Sequence, residues 1–148
     1  MSLFNSIHIS GSALTAQRLR MDVASSNIAN AETTRGRQVE GEWEPYRRKM
    51  VAFQPKGQDF QSILSKAKDG SPGQGVVATE IQDDREPFKL VYQPEHPDAD
   101  AQGYVKMPNV DPLKEMVDLM SATRSYEANV TVMNAAKGMY MKALEIGR

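Results

Sequence analysis

The sequence predicts an α+β chain, with a long helix at each end and a small β-rich domain inserted between them. Three observations carry that prediction. Residues 111–148 hold an unbroken helical pattern, and residues 3–30 hold a second one. Between them, the prolines fall from Pro45 to Pro112 and most of the glycines from Gly36 to Gly103, among short apolar or alternating runs. The expected organisation is a discontinuous helical domain, 1–34 with 111–148, around an insert at 35–110 that carries a flexible loop near 54–75. With 148 residues there is chain enough for one domain or two small ones and a modest core.

The C-terminal helix has clear boundaries. Asp111 can accept from the free N–H groups of the first turn, and Pro112 sits where a missing N–H costs nothing. Asp111, Glu115 and Asp118 crowd its start and Lys137, Lys142 and Arg148 its end, which complements the helix dipole. At about 1.5 Å per residue it runs roughly 50 Å, longer than a compact domain of this size is wide. Leu119, Tyr126, Met133 and Tyr140 recur every seven residues, and Ala122, Asn129, Ala136 and Ala143 follow three positions later. That is a coiled-coil-like seam whose small residues admit a close partner. A second stripe runs through Met116, Met120, Val130, Met141 and Leu144. A helix apolar on two sides is buried on two sides. It is either the central helix of an ordinary bundle, or one that packs first in its own chain and then on neighbouring copies. Tyr126 and Tyr140 fit both, as interface anchors or as internal packing.

In the N-terminal helix Ile7, Leu14, Met21 and Ile28 are spaced by seven, with Leu3 and Ala24 widening the stripe. Such a period favours supercoiling with another helix. Ser10, Gly11 and Ser12 weaken it, since a mid-helix glycine costs about 1 kcal/mol relative to alanine. Its expected partner is the C-terminal seam. Asn27 and Asn30 mark a helix end and a following loop, because their amides bond nearby backbone and tolerate left-handed geometry.

Short strands are expected at 43–53, 75–81, 88–92 and 104–107, bounded by turn residues. Residues 58–68 read as a short helix or a loop, and DGSPGQG at 69–75 as a turn without the Gly-Lys-Ser/Thr of a phosphate loop. Trp43, between Glu42 and Glu44, is expected to anchor the core of the insert.

Chemistry is sparse. A net charge of −1 offers no electrostatic case for nucleic acid or an anionic membrane, and no apolar run reaches spanning length, so no direct membrane insertion is expected. The chain has no cysteine, which excludes disulfides and thiolate chemistry. Residues 1–17 contain no Lys or Arg, unlike a cleaved signal. His8 and His96 lack metal-ligand spacing. Asp98, Asp100 and Gly103 open like a calcium loop, but Gln102 and Asn109 fall at its fifth and twelfth positions, so a polar turn is expected. Asp83, Asp84 and Glu86 beside Pro87 read as a solvated loop, and no G-x-S-x-G elbow occurs. No catalytic, cofactor or metal site is expected.

Three stretches carry a resemblance: SSNIANAETT at 25–34, HPDADAQGYVKMPNVDP at 96–112 and MSATRSYEANVTVMNAAK at 120–137. On these the chain closely resembles the bacterial flagella basal body rod protein family, in its proximal-rod type. Many rod relatives follow Asn-x-Ala-Asn-x-x-Thr with Thr-Gly-aromatic. Here Thr34 precedes Arg35 and Gly36 with no aromatic, against a distal-rod or hook type. The resemblance implies terminal helices paired in a coiled-coil-like domain lining an axial tube, with the insert as an outer layer. It implies export through the flagellar type III apparatus without signal cleavage, and assembly with other copies, other proximal- and distal-rod subunits and the basal-body base (MS ring and adaptor). Asn27, Ala29, Asn30 and Thr33 would order the turn, and Arg124, Tyr126, Glu127, Ala128 and Asn129 would carry the C-terminal signature. With Ile7, Leu14, Met21, Ile28, Leu119, Met133, Ala136, Tyr140 and Leu144 they make the expected assembly interface. The function implied is that of a structural subunit transmitting motor torque. A soluble coiled-coil adaptor is the alternative.

Overall fold

The computed structural model describes residues 5–57, 64 and 75–147. In chain order these form α1 (Asn5–Ala29), β1 (Arg37–Val39), β2 (Glu42–Glu44), β3 (Lys49–Pro55), β4 (Val76–Asp83), β5 (Lys89–Tyr92), β6 (Tyr104–Met107) and α2 (Pro112–Ile146). The expectations for 58–68 and 69–74 lie outside the described residues, Leu64 apart, as do those for Leu3 and Arg148.

The fold is α+β, with terminal helices that pack together and small antiparallel sheets between them. Helix α2 begins as its residues dictate. The Leu113 amide donates to Asp111 Oδ1 at 3.0 Å, and Pro112 fills the first helical position. Along α2 the sheltered face runs through Leu119, Ala122, Tyr126, Asn129, Met133, Ala136 and Tyr140, while Ala143 is exposed. On α1 the heptad positions Ile7, Leu14, Met21 and Ile28 are half-buried, and Ser10, Ala16, Ala24 and Asn27 are buried. The deepest positions of both helices are therefore small or polar.

Each sheet is a two-stranded ladder: β1–β2, β3–β4 and β5–β6. Gln38 faces Trp43 in the first, and Tyr92 faces Tyr104 in the third, with ring centroids 5.4 Å apart. The strand expected over 43–53 is broken in two at Pro45. Proline offers no N–H, and the next amides bond away from the ladder, Tyr46 to the Thr33 carbonyl at 3.0 Å and Arg48 to Asn109 Oδ1 at 2.8 Å. Trp43 does not anchor a core. It is 55% exposed on the two-stranded β1–β2 ribbon, where it lines an open cleft with Asp98, Tyr104 and Lys106.

Two compact units divide the chain. The first joins Met1–Arg20, Ala52–Glu80 and Ser121–Arg148. Within it Ser12 is more than a weak helical residue. Its hydroxyl donates to the Ile9 carbonyl at 2.7 Å and accepts the Val76 amide at 3.2 Å. Gly75 lies so close to Ser12 that no side chain fits there. The second unit joins Met21–Val51 and Ile81–Met120. Its small apolar core holds Ala24, Val105, Pro108 and Val110, alongside a set of buried polar groups.

Candidate assembly site

The polar groups of the second unit form one connected lock. Asn27, in the last turn of α1, is 1% exposed. Its Nδ2 donates to the Lys49 carbonyl at 2.8 Å and to Glu115 Oε2 at 2.9 Å. Its Oδ1 accepts from the Lys49 amide and from the Tyr46 hydroxyl, each at 2.9 Å. Both donors and both lone pairs of the amide are thus used, which is what lets an asparagine sit this deep. The residue that local chemistry assigned to a helix end also ties α1 to β3 and α2.

Arg48 stands at the other side of Glu115. Its Nε donates to Glu115 Oε1 at 2.6 Å, its Nη1 to Asp84 Oδ2 at 3.2 Å, and its Nη2 lies 3.7 Å from Asp118. Burial works against the guanidinium charge, but the hydrogen bonds to Glu115 and Asp84 outweigh it and raise the Arg48 pKa. Asp84 is held below the ordinary carboxylate value, first by the Glu86 amide and then by Arg48. Asp84 is 8% exposed and Glu115 is 2% exposed. Asp84 thus does not belong to a solvated loop, and Glu115 does more than complement a dipole. Asn109 completes the lock by accepting the Arg48 amide and donating to the Glu86 carbonyl at 3.2 Å.

The turn leaving α1 is built by the Asn-x-Ala-Asn-x-x-Thr residues. Asn30 donates from Nδ2 to the Ser26 carbonyl at 2.9 Å, and Thr33 Oγ1 donates to Asn30 Oδ1 at 3.2 Å. Thr34 and Arg35 then reach the 96–112 stretch, with Thr34 Oγ1 and Arg35 Nε donating to Asp98 at 2.7 and 2.8 Å. Arg35 first, then Thr34, depresses the Asp98 pKa. Gly36 is forced by proximity, since a Cβ there would lie 2.6 Å from the Tyr46 amide nitrogen. Asp100 Oδ1 accepts the Gln102 and Tyr104 amides at 2.9 and 2.8 Å, so this carboxylate serves a turn. Among the described residues, no group of three His, Asp or Glu side chains could hold a metal ion.

The expected interface residues are thus divided. Asn27, Asn30 and Thr33 converge on the lock and its turn. Leu119, Tyr126, Asn129, Met133, Ala136 and Tyr140 lie on the sheltered seam of α2, where Asn129 Nδ2 donates back to the Ser125 carbonyl at 2.8 Å. Ala29, Arg124, Glu127 and Leu144 are exposed. So are Leu113, Met116, Val117 and Met120 at one end of α2, and Met139, Met141 and Ile146 at the other. Leu113, Met116, Val117 and Met120, spaced i, i+3, i+4 and i+7, share one face, and apolar surface of that kind marks interaction sites. Sequence reasoning passed over Tyr46, Arg48 and Asn109. The one available signal was Asn109 between Pro108 and Val110, a polar residue in an apolar setting.

Comparison with known proteins supplies the context. A family model described as flagella basal body rod protein matches residues 7–36, and one described as flagellar basal body rod FlgEFG protein C-terminal matches 101–146. The chain is 64% identical to the flagellar basal-body rod protein FlgC of Bacillus subtilis over the full length of both. It is 47% identical to that of Escherichia coli O157:H7, again over both full lengths. Identity to the FlgC of Borreliella burgdorferi is 45%, covering 99% of this chain and 98% of the relative.

Proposed function

We propose a mechanism for a chain that belongs to the FlgC family of flagellar basal-body rod proteins: its terminal helices assemble into the proximal part of the rod and carry motor torque. As a family member it is a structural component of the rod, not an enzyme, and it assembles with other rod components. The helical arms 1–34 and 111–148 act together as the axial domain, and 35–110 forms the outer layer. The partners are other copies, neighbouring proximal- and distal-rod subunits and the basal-body base (MS ring and adaptor). The subunit reaches them through the flagellar type III export apparatus without signal cleavage.

The observation that carries this reading is the exposed apolar face of α2, which lies away from its sheltered seam. Neighbouring subunits that cover it gain about 25 cal/mol per Å² of apolar surface removed from water. The lock fixes the α1–α2 crossing, so load applied to one helix reaches the other. A soluble coiled-coil adaptor would instead form a stable dimer in dilute solution.

Val117 and Met120 lie on that face, each 55% exposed. Val117→Asp and Met120→Asp are therefore expected to leave the isolated chain folded, with an unchanged circular dichroism spectrum. Each is expected to abolish swimming and recovery of the subunit with purified basal bodies. Wild-type swimming by both variants would remove the assignment.

A further inference from the structure

The second unit carries a cationic cleft beside the lock, whose Lys49 side chain the lock does not use. It has a volume of about 370 Å³, and Arg37, Tyr46, Arg47, Lys49 and Asp83 line it. Arg37 is committed to Glu44 at 2.9 Å and lies 3.7 Å from Asp83. Arg47 stacks on the Phe88 ring at 4.4 Å and donates to the Asp84 carbonyl at 3.2 Å, but its buried Nε has no hydrogen-bond partner. Lys49 is exposed, with Nζ 5.8 Å from the Tyr46 ring centre. Among the described residues no carboxylate pairs with Arg47 or Lys49. The walls are fixed, since the Tyr46 hydroxyl is tied to Asn27 and its amide to Thr33.

The complementary charge stands at the tip of the β1–β2 hairpin. Glu40 and Gly41 form its two-residue turn with φ of 52° and 92°. Such turns take Asn-Gly, Asp-Gly or Gly-Gly without strain. Glutamate in the left-handed region is strained, and strain of this sort accompanies a side chain that has a use. Glu40 and Glu42 are both exposed, and neither has an ion-pair partner among the described residues. The tip does not line the cleft of its own chain. Glu40 is three positions along from Arg37, about 10 Å on an extended strand, and none of residues 38–44 lines the cleft.

We infer that the Glu40–Glu42 hairpin tip of one subunit docks its carboxylates into the Arg47–Lys49 cleft of a second copy of this chain. The contact joins two different patches, so it is heterologous and propagates around or along an assembly without closing on itself as a dimer. The inference rests on the rod reading above and assigns that reading a side-by-side contact in the insert.

The test uses the full chain, expressed in a strain lacking its own copy, with swimming and recovery in basal bodies as readouts. Glu40→Lys with Glu42→Lys, and separately Lys49→Glu, should each reduce swimming at least tenfold. Combining the three substitutions in one chain, which exchanges the charges of the tip and Lys49, should restore it to within twofold of wild type. Glu40→Gly should raise the melting temperature of the isolated chain by relieving the turn, yet still reduce swimming. Wild-type swimming by either reversed variant overturns the inference. So does a combined variant as impaired as its parents, because the cleft would then take its carboxylate from a different rod protein. Swimming by the strain without any copy would instead overturn the rod reading itself.

Discussion

Arg48 faces Glu115 and Asp84 in a nearly dry setting, so Arg48→Ala removes the counter-charge and strands two carboxylates. Breaking a buried pair from one side costs about 3–5 kcal/mol. Urea unfolding of that variant should show a loss of this size, and Arg48→Ala combined with Glu115→Gln should lose less than the sum of the two single changes. A strictly additive pair would mean that the two groups do not share the lock. Acid probes the same network. Asp84 and Asp98 both titrate below their ordinary value of 3.8 in the folded chain. Groups with depressed pKa values stabilise fully above that ordinary value, and the contribution is lost as pH falls below it through the folded values. The urea midpoint should therefore hold between pH 7 and 5 and drop below about pH 4. A midpoint that stays level to pH 2 would contradict the role given to both carboxylates. None of this network was legible in the sequence, because Arg48 meets Asp84 and Glu115 across separations of 36 and 67 residues. Acidic residues beside a proline, or at a helix start, look like surface charge until a distant arginine is found over them.

At the scale of elements the local code was far more readable. Alternation and turn residues located β4, β5 and β6, and Asp111-Pro112 fixed the start of α2. The seven-residue spacing identified the seam that shelters Leu119 through Tyr140. Sequence reasoning failed where a contact outside the element decided the outcome, as at the break after Pro45, and at Trp43, which lines an open cleft instead of filling a core. The β5–β6 hairpin offers a check on its own geometry. Gly103 has a φ of 83°, and a Cβ there would meet Tyr92 Cε2 at 2.9 Å and Pro94 Cβ at 3.3 Å. Gly103→Ala should destabilise the second unit by about 1–3 kcal/mol, from backbone strain together with the crowding. An unchanged urea midpoint would show that the hairpin relaxes freely.

For the whole molecule, the burial record predicts where a protease enters first. From Lys137 to Gly147 every residue of the chain except Tyr140 is exposed, whereas Asn27, Arg48, Asp84 and Glu115 cross-brace the second unit. Among the described residues, brief digestion of the isolated chain should trim the C-terminal end of α2 before it cuts Met21–Val51 or Ile81–Met120. Early cutting within 81–120 would contradict the cross-bracing. The Asn27–Glu115 bond also has a consequence in time. Its two side chains are 88 positions apart, so a chain emerging N-terminus first, from a ribosome or any narrow conduit, cannot make the bond until position 115 has cleared the exit. Until then Asn27 lacks its helical partner, and the ordering of that crossing waits on a long loop closure. The lock is therefore also a clock, which starts only when most of the chain has been delivered.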